Sequence, residues 1–378
     1  MCYTRNAKGV HKKEANFVSQ LLGTITTHNY NLLLVGKKVH LVQFILITPE
    51  VMIVSHKSDV VDIKYYKDIH PQEVKWLWYP YIPFGKITIV QGDPGEGKST
   101  FAMNLCSMLT KGKTIPFSKN KMGIGNVIYQ NNEDGKGDTI VPRLISCGAD
   151  LDRIAYVDEG LNCLDMGGDE IEKAIDETKA KLIILDPIQA YIGKDTDMNR
   201  AGDIRPVMKR LSSLAEKKGC AILLIGHMSK NNTTKGLYRS LGSIDIPAAA
   251  RSVLLISRFE TNDFRIMAQV KNNLAPLGDS LVFSIDHKSN IKWLYTTKIT
   301  ADQVMNDSYT EKVSKLDRAI CIITECLSKG KCLAGKVFSL CEKEGISERT
   351  IKAAKAKLNI LSKKSNDGWI WELAKNEE

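Results

Sequence analysis

A glycine-rich loop at residues 92–99 constrains this chain more than any other part of its sequence. The loop reads Gly-Asp-Pro-Gly-Glu-Gly-Lys-Ser and lies between a short β-rich run, 86–90, and an amphipathic stretch, 99–109, with helical spacing. Glycines let the backbone approach bound phosphates closely, so that successive N–H groups can surround them. The helix N-terminus that follows adds partial positive charge. The pattern predicts a phosphate-binding loop between a strand and a helix, and the alternative is a tight turn without a ligand.

Two side chains of this loop have predicted chemical roles. Lys98 is expected to reach the β- and γ-phosphates of a nucleotide, and the Ser99 hydroxyl is expected to ligate Mg²⁺. We therefore predict ATP and Mg²⁺ as ligands. The predicted nucleotide-binding residues are Gly92, Asp93, Pro94, Gly95, Glu96, Gly97, Lys98, Ser99 and Thr100.

The chain continues as apolar runs that alternate with amphipathic stretches such as 169–178 and 205–218. Strands that alternate with helices predict an α/β fold, in which helices flank a mainly parallel central sheet on both faces. The last three runs lie close together and can pair antiparallel at one edge. The runs are 126–129, 154–157, 182–185, 221–225, 252–257, 264–270 and 280–285.

Polar side chains follow three of these predicted strands. Asp186 ends one strand and is predicted to hold Mg²⁺ directly or through water, although many strands simply end in aspartate. Glu133 follows another and is the predicted base for the attacking water, with Asp134 as the second candidate and a solvated loop acid as the alternative. His227 follows a third, where it could sense the γ-phosphate or be a histidine with only structural contacts.

The charge of the chain favours a polyanionic partner such as nucleic acid, because the formal net charge is +10 and the pI about 9.0. Segment 228–246 combines Lys230, Lys235 and Arg239 with Tyr238 and glycines. This composition is typical of a loop that contacts single-stranded DNA, and a mobile surface loop is the alternative.

Residues 314–378 are predicted to form a separate small domain of winged-helix type, after a polar linker at 296–313. A helix capped by Ser347 precedes a hairpin whose turn is 365–368. Basic side chains recur every third residue on the outer side of this helix, where they are predicted to contact DNA; a protein-contact role is the alternative. They are Arg349, Lys352 and Lys355.

The remaining features set the limits of the main domain and the compartment. Residues 1–51 show no sustained periodicity, so the main domain is predicted at 52–295, with Met52 as an alternative start of the protein. The nine cysteines form no C-x-x-C pair and have no histidine cluster beside them, which indicates reduced thiols and argues against zinc. No run reaches the roughly 18–20 apolar residues of a membrane span. We expect a soluble, cytoplasmic protein.

Together these motifs resemble the RecA-like AAA-type ATPases of phages, plasmids and integrated elements, a group that includes the plasmid RepA hexameric helicases. The resemblance covers about Trp76 to Ile285, and a winged-helix tail is a common appendage. It implies a RecA-like P-loop core with ATP and Mg²⁺, Glu133 as the water-activating residue and His227 as a sensor. It also implies ring-shaped homo-oligomers, here predicted to be hexamers, with nucleotide sites between subunits. The stretches that carry it are 76–99, 132–134, 182–187, 238–253 and 270–276.

The resemblance further suggests an arginine finger that one subunit supplies to its neighbour. Arg251, in Ala-Ala-Ala-Arg-Ser-Val, is the first candidate, since an arginine there would stabilise transition-state charge. Lys271 is the second, because DnaB-like relatives often carry Lys-x-Arg where this chain has Lys271-Asn-Asn273. The alternative for Arg251 is a structural contact within its own subunit.

The function predicted from the sequence is that of an ATP-hydrolysing motor that acts on single-stranded DNA, such as a replicative helicase of a mobile element. One alternative is a DNA-binding regulatory protein that ATP switches between conformations. Another is a recombination ATPase that forms filaments rather than rings.

Overall fold

The structure is a computed structural model that describes residues 30–35, 38–47, 50–54, 65–158, 164–194, 196–228, 243–259, 264–306, 315–328 and 330–373. The chain divides into two units, Met1–Gln72 and Glu73–Glu378. The helices and strands that position the site belong to the second unit.

The first unit contains a three-stranded antiparallel sheet. Its strands are β1 (Tyr30–Val35), β2 (Lys38–Ile47) and β3 (Glu50–Val54), in that order across the sheet. Met52 lies within β3, where it pairs with Ile45 of β2. The predicted domain boundary between residues 51 and 52 therefore falls inside a strand, whereas the two units divide after residue 72.

A nine-stranded sheet forms the centre of the second unit, after a short hairpin of β4 (Trp76–Trp78) and β5 (Ile82–Pro83). The nine strands are β6 (Ile87–Gly92), β7 (Asn126–Asn131), β8 (Ile154–Ala155), β9 (Ala180–Asp186), β10 (Ala221–His227), β11 (Ser252–Arg258), β12 (Phe264–Asn272), β13 (Ser280–Ile285) and β14 (Ile291–Thr297).

The order of these strands across the sheet is β14-β13-β12-β11-β6-β10-β9-β7-β8. From β11 to β8 neighbouring strands run parallel, and β12, β13 and β14 complete the sheet antiparallel. The predicted α/β class with a mainly parallel sheet is confirmed. Because β10 lies between β6 and β9, the carboxyl ends of β6, β10, β9 and β7 meet at one edge of the sheet.

Helices cover both faces of this sheet, as its apolar strands require. They are α1 (Lys98–Lys111), α2 (Val141–Ser146), α3 (Glu170–Thr178), α4 (Ala201–Lys218) and α5 (Asp245–Ala249). One apolar cluster joins Val90 to α1 and α2, and a second joins Ile87 and Ile89 to α3 and α4. Adjacent residues of β6 thus face opposite clusters, as the alternation of a strand dictates.

The C-terminal elements pack against the outer, antiparallel part of the sheet. They are α6 (Ala301–Met305), α7 (Lys315–Ser328), β15 (Cys332–Leu333), α8 (Ala334–Lys343), α9 (Glu348–Lys357), β16 (Ile360–Ser365) and β17 (Gly368–Leu373), with sheet order β15-β17-β16. A single buried cluster contains Leu255, Ile266 and Val282 of the large sheet together with Ile320 of α7.

This packing differs from the separate domain that the sequence suggested, since the C-terminal elements and the large sheet bury one cluster in common. The predicted linker at 296–313 holds the end of β14 and all of α6, and residues 307–314 lie outside the described residues. Within the ranges described above, no helix is both long and apolar enough to cross a membrane.

Candidate nucleotide-binding site

The phosphate loop joins the end of β6 to the start of α1, between the strand and the helix where the sequence placed it. Its backbone needs glycine: Gly95 and Gly97 have φ of +81° and +93°, in the left-handed region. A Cβ atom on Gly92 would lie 2.1 Å from the carbonyl oxygen of Ile256. The loop thus passes directly over β11 with no space for a side chain at that position.

Lys98 begins α1 and lies almost entirely beneath the loop, with 4% of its surface exposed. Its Nζ donates hydrogen bonds to the carbonyl oxygens of Gly92, at 2.9 Å, and Asp93, at 2.7 Å. Burial lowers the pKa of Lys98, while the negative charges of Asp186 and Glu96 act in the opposite direction. The ammonium group is therefore held at the centre of the loop, where its positive charge can bind a phosphate.

Asp186 ends β9 and is buried, with 2% of its surface exposed. Its Oδ2 accepts hydrogen bonds from the hydroxyl of Tyr129, at 2.9 Å, and from Nδ2 of Asn131, at 3.4 Å. The Ser99 side chain also hydrogen-bonds this carboxylate. Burial raises the pKa of Asp186, and the hydrogen bonds from Ser99, Tyr129 and Asn131 lower it in part.

The two predicted ligands of Mg²⁺, Ser99 and Asp186, are in direct contact. Hydroxyl and carboxylate oxygens are the donors that Mg²⁺ prefers, and few protein ligands suffice because this ion keeps several waters and binds phosphate oxygens as well. The residues present therefore fit a magnesium ion carried in with a nucleotide.

Asn131, at the end of β7, shapes the acidic turn that follows. Its Oδ1 accepts hydrogen bonds from the backbone N–H groups of Glu133, at 3.0 Å, and Asp134, at 2.8 Å. The carboxylate of Asp134 is paired with Nη1 of Arg143 at 3.2 Å. The Glu133 side chain is exposed, and its charge acts on Lys98. The turn therefore leaves the Glu133 carboxylate accessible to solvent and close enough for its charge to act on Lys98, while Asp134 is engaged with an arginine.

His227 lies beside the phosphate loop, because β10 and β6 are parallel and His227 pairs with Gly92. Its Nδ1 is buried and has no hydrogen-bond partner among the residues that the structure describes. Burial, followed by the positive charge of Lys98, lowers the pKa of His227 below its ordinary value of 6.5. The imidazole is thus neutral near pH 7 and close to the position of the phosphates.

The two candidates for an arginine finger occupy different positions. Arg251 is exposed, and its backbone N–H donates to the carbonyl of Ile87 at 3.0 Å, at the opposite end of β6 from the loop. Five residue steps along the strand lead from Ile87 to Gly92, which is about 17 Å. Lys271 Nζ donates to three carbonyl oxygens of residues 247–250, at 2.9, 3.1 and 2.9 Å, and so caps α5.

The predicted DNA contacts are only partly within the described residues. Lys230, Lys235 and Arg239 lie outside them. On α9, Arg349 is exposed, and Lys352 is exposed and forms an ion pair with Glu348 at 2.6 Å.

Lys355 departs from the prediction that all three basic residues of α9 face outward. It is half-buried, and its Nζ lies 4.9 Å from the centroid of the buried Trp371 ring. The reason is geometric: a spacing of three residues turns by about 60° per step around a helix, and Lys355 lies four residues after the buried Ile351.

Sequence reasoning missed Tyr129 and Asn131 as supports of Asp186. Both lie on the same side of β7, two residues apart, and Asn131 pairs directly with Asp186 in the parallel register. A signal was present, since the buried strand ends in the polar residues Gln130 and Asn131 after an apolar run. Its link to Asp186 depends on which strand neighbours β7, and the sequence does not show that.

Comparison with known proteins finds similarity over the part of the chain that holds this site. A family model described as an AAA domain matches residues 54–233. The chain is similar to the DNA repair protein RadA of Halalkalibacterium halodurans, with 26% identity over 205 residues, which cover 53% of this chain and 39% of that protein. The chain therefore spans about two fifths of the length of this relative.

Two solved structures are similar to part of this chain. The RadB recombinase has 17% identity and a TM-score of 0.41, with 56% of this chain and 91% of that chain covered. A KaiC-like protein of Pyrococcus horikoshii has 19% identity and a TM-score of 0.41, with 56% and 90% covered.

Proposed function

We propose that the RecA-like ATPase core of this chain binds ATP with Mg²⁺ and hydrolyses it in a DNA-dependent motor. The observation that carries the proposal is the contact between Ser99 and Asp186 beside the buried Lys98. A strand end, a helix start and a loop of left-handed glycines converge there, and this combination serves phosphates and a metal ion together.

In this proposal the loop N–H groups and Lys98 bind the phosphates, and Ser99 and Asp186 hold Mg²⁺, which neutralises charge on the phosphate oxygens. Glu133 takes the proton of the attacking water. Asp134 is less suited to that task because its carboxylate is already engaged in an ion pair with Arg143. The neutral His227, next to Gly92, contacts the terminal phosphate and reports its presence to the chain that follows β10.

We further propose that the site is completed by a neighbouring subunit through Arg251. Within its own chain this arginine is about 17 Å from the loop along β6, so a role in hydrolysis requires a second copy. Lys271 is the weaker candidate because its ammonium group already donates to the carbonyls that end α5. A ring, such as a hexamer, is the assembly that this arrangement favours.

DNA is the proposed partner of the motor. The net charge of +10 and the exposed Arg349 and Lys352 support it, as does similarity to a protein whose name includes DNA repair. The order helix, strand, helix, helix and hairpin in 315–373 supports a winged helix that contacts duplex DNA, with Lys230, Lys235 and Arg239 on a single strand. On the resemblance to phage and plasmid ATPases, the proposed role is a helicase of a mobile element.

A second proposed function is a recombination-type ATPase that forms filaments, and the similarity to a protein whose name includes DNA repair is compatible with it. Electron micrographs of the protein with MgATP and single-stranded DNA distinguish closed rings from filaments. Strand displacement on a forked duplex then separates a helicase from an ATPase that only coats DNA.

The central test is steady-state ATP hydrolysis with and without single-stranded DNA. Wild-type protein should show DNA-stimulated turnover, Lys98→Ala should lose turnover and bind ATP weakly, and Glu133→Gln should bind ATP but lose turnover. Asp134→Asn is the matched control and should retain most activity. A lack of DNA stimulation, with tight binding to one duplex sequence, would contradict the motor and favour an ATP-switched regulator.

A further inference from the structure

An arginine of the antiparallel part of the sheet lies against the phosphate loop. A Cβ atom placed on Gly97 would lie 3.2 Å from Nε and 3.3 Å from Cδ of Arg265, and 2.6 Å from Cδ1 of Ile285. Arg265 is the second residue of β12 and pairs with Arg258 at the end of β11. Because β12 is antiparallel to β11, its first residues lie at the loop edge of the sheet, and Arg265 brings a cation of the same chain to the residue that precedes Lys98.

Glu96 of the loop faces this arginine. The Glu96 carboxylate accepts a hydrogen bond from the backbone N–H of Arg258 and is attracted by the charge of Arg265. Its Oε2 is buried and has no hydrogen-bond partner in the part of the chain that the structure describes. Burial is the largest effect on the pKa of Glu96 and raises it. An oxygen of a half-buried carboxylate that is shielded from water and lacks a hydrogen bond is costly, so the position of Glu96 near Arg265 requires an explanation.

The strand order places Arg265 on the opposite side of the loop from the residues proposed for hydrolysis. Asp186, Glu133 and His227 follow β9, β7 and β10, all on one side of β6, whereas β12 is the second strand on the other side. Two strand spacings amount to about 10 Å. If the γ-phosphate and Mg²⁺ lie near Asp186, the nucleotide extends across the loop and its α-phosphate approaches Arg265.

We propose that Arg265 binds the α-phosphate of the nucleotide in its own chain, and that Glu96 holds the guanidinium in position until the nucleotide replaces it. This rests on the proposed nucleotide binding. Guanidinium and phosphate form strong charge-assisted hydrogen bonds. The exchange explains why the loop has an acid at a position where it would otherwise repel the nucleotide.

The test is calorimetric titration of the full chain with MgADP and with Mg²⁺ and the non-hydrolysable analogue AMP-PNP, without DNA. Arg265→Gln should weaken both nucleotides equally, by about 10- to 100-fold, the range for a hydrogen bond between charged groups. Arg265→Lys should lose less, because the charge remains. Lys292→Gln, which removes an exposed positive charge from β14, is the control and should change neither affinity.

Glu96→Gln separates binding from a structural pairing. In the wild-type background it should tighten both nucleotides, because the competing carboxylate is gone, and its effect should not add to that of Arg265→Gln in the double variant. Unchanged affinities in Arg265→Gln, or weakening of AMP-PNP alone, would overturn the proposal; the latter would place the contact on the γ-phosphate. If wild-type protein binds neither nucleotide, the proposed function fails as well.

Discussion

The hydroxyl of Tyr129 offers a measurable link between the stability of the fold and the metal site. Tyr129 is buried and donates a hydrogen bond of 2.9 Å to Oδ2 of Asp186. In Tyr129→Phe the ring keeps its packing and only the hydroxyl is lost. Asp186 is then left with Ser99 and with Asn131, whose Nδ2 is 3.4 Å away.

The expected cost depends on the charge of Asp186. A hydrogen bond to a charged acceptor contributes about 1.5–3 kcal/mol, and one between neutral groups about 0.5–1.5 kcal/mol. Burial raises the pKa of Asp186, and the Tyr129 bond lowers it in part. Tyr129→Phe therefore raises that pKa further, so its loss of stability is largest where Asp186 is ionised and shrinks as the pH falls through the pKa.

Urea denaturation followed at several pH values between 5 and 8 measures this loss, with Tyr81→Phe as the matched control. The Tyr81 hydroxyl donates to the neutral carbonyl oxygen of Asp279 at 2.6 Å. Tyr81→Phe should lose about 0.5–1.5 kcal/mol at every pH in this range. Tyr129→Phe should also raise the Mg²⁺ concentration for half-maximal ATP hydrolysis by about 10- to 100-fold, as losses of groups that orient metal ligands do. Equal, pH-independent losses in both variants would refute the reasoning.

Three further predictions concern the same unit. Asp186→Asn should raise the urea midpoint of the nucleotide-free protein at pH 7. Because the pKa of Asp186 is raised in the folded protein, its contribution to stability is fully present below pH 3.8 and is lost as the pH rises through the folded pKa. An amide does not ionise and therefore has no such loss. An unchanged or lower midpoint would contradict this. Gly92→Ala should lower the free energy of unfolding by about 1–3 kcal/mol or more, because its Cβ meets the backbone oxygen of Ile256. Gly137→Ala, whose Cβ would have no atom within 4 Å, should change the free energy of unfolding little in the same measurement. Arg251→Ala subunits mixed with wild type should depress ATP hydrolysis more than in proportion to their fraction; a proportional loss would argue against a role in a neighbour's site.

The fold could be predicted from the sequence because its signals are local. Each strand of the parallel sheet is a short apolar run, and the phosphate loop stands between one run and an amphipathic stretch. Parallel strands end at one edge of a sheet, so Asp186 and the turn at Glu133 are expected near the loop even where their register is unknown.

The remaining parts of the site depend on pairings that a single sequence does not contain. Tyr129 and Asn131 support Asp186 only because β7 neighbours β9. Arg265 reaches the loop only because β12 reverses direction beside β11. The spacing of Lys355 from Arg349 predicts a surface position, whereas its spacing from the buried Ile351 determines its direction.

The apolar cluster that β11 and β12 share with the C-terminal helices has a mechanical consequence. In β11, Ile256 lies under the phosphate loop at Gly92, and the adjacent Leu255 packs in the cluster that contains α7. One strand therefore connects the loop to the body that carries Arg349. A displacement of β11 during turnover would therefore be transmitted to the C-terminal helices through this shared apolar cluster. Truncation at 296–313 would remove the C-terminal helices and leave Ile266 and Val282 exposed to water.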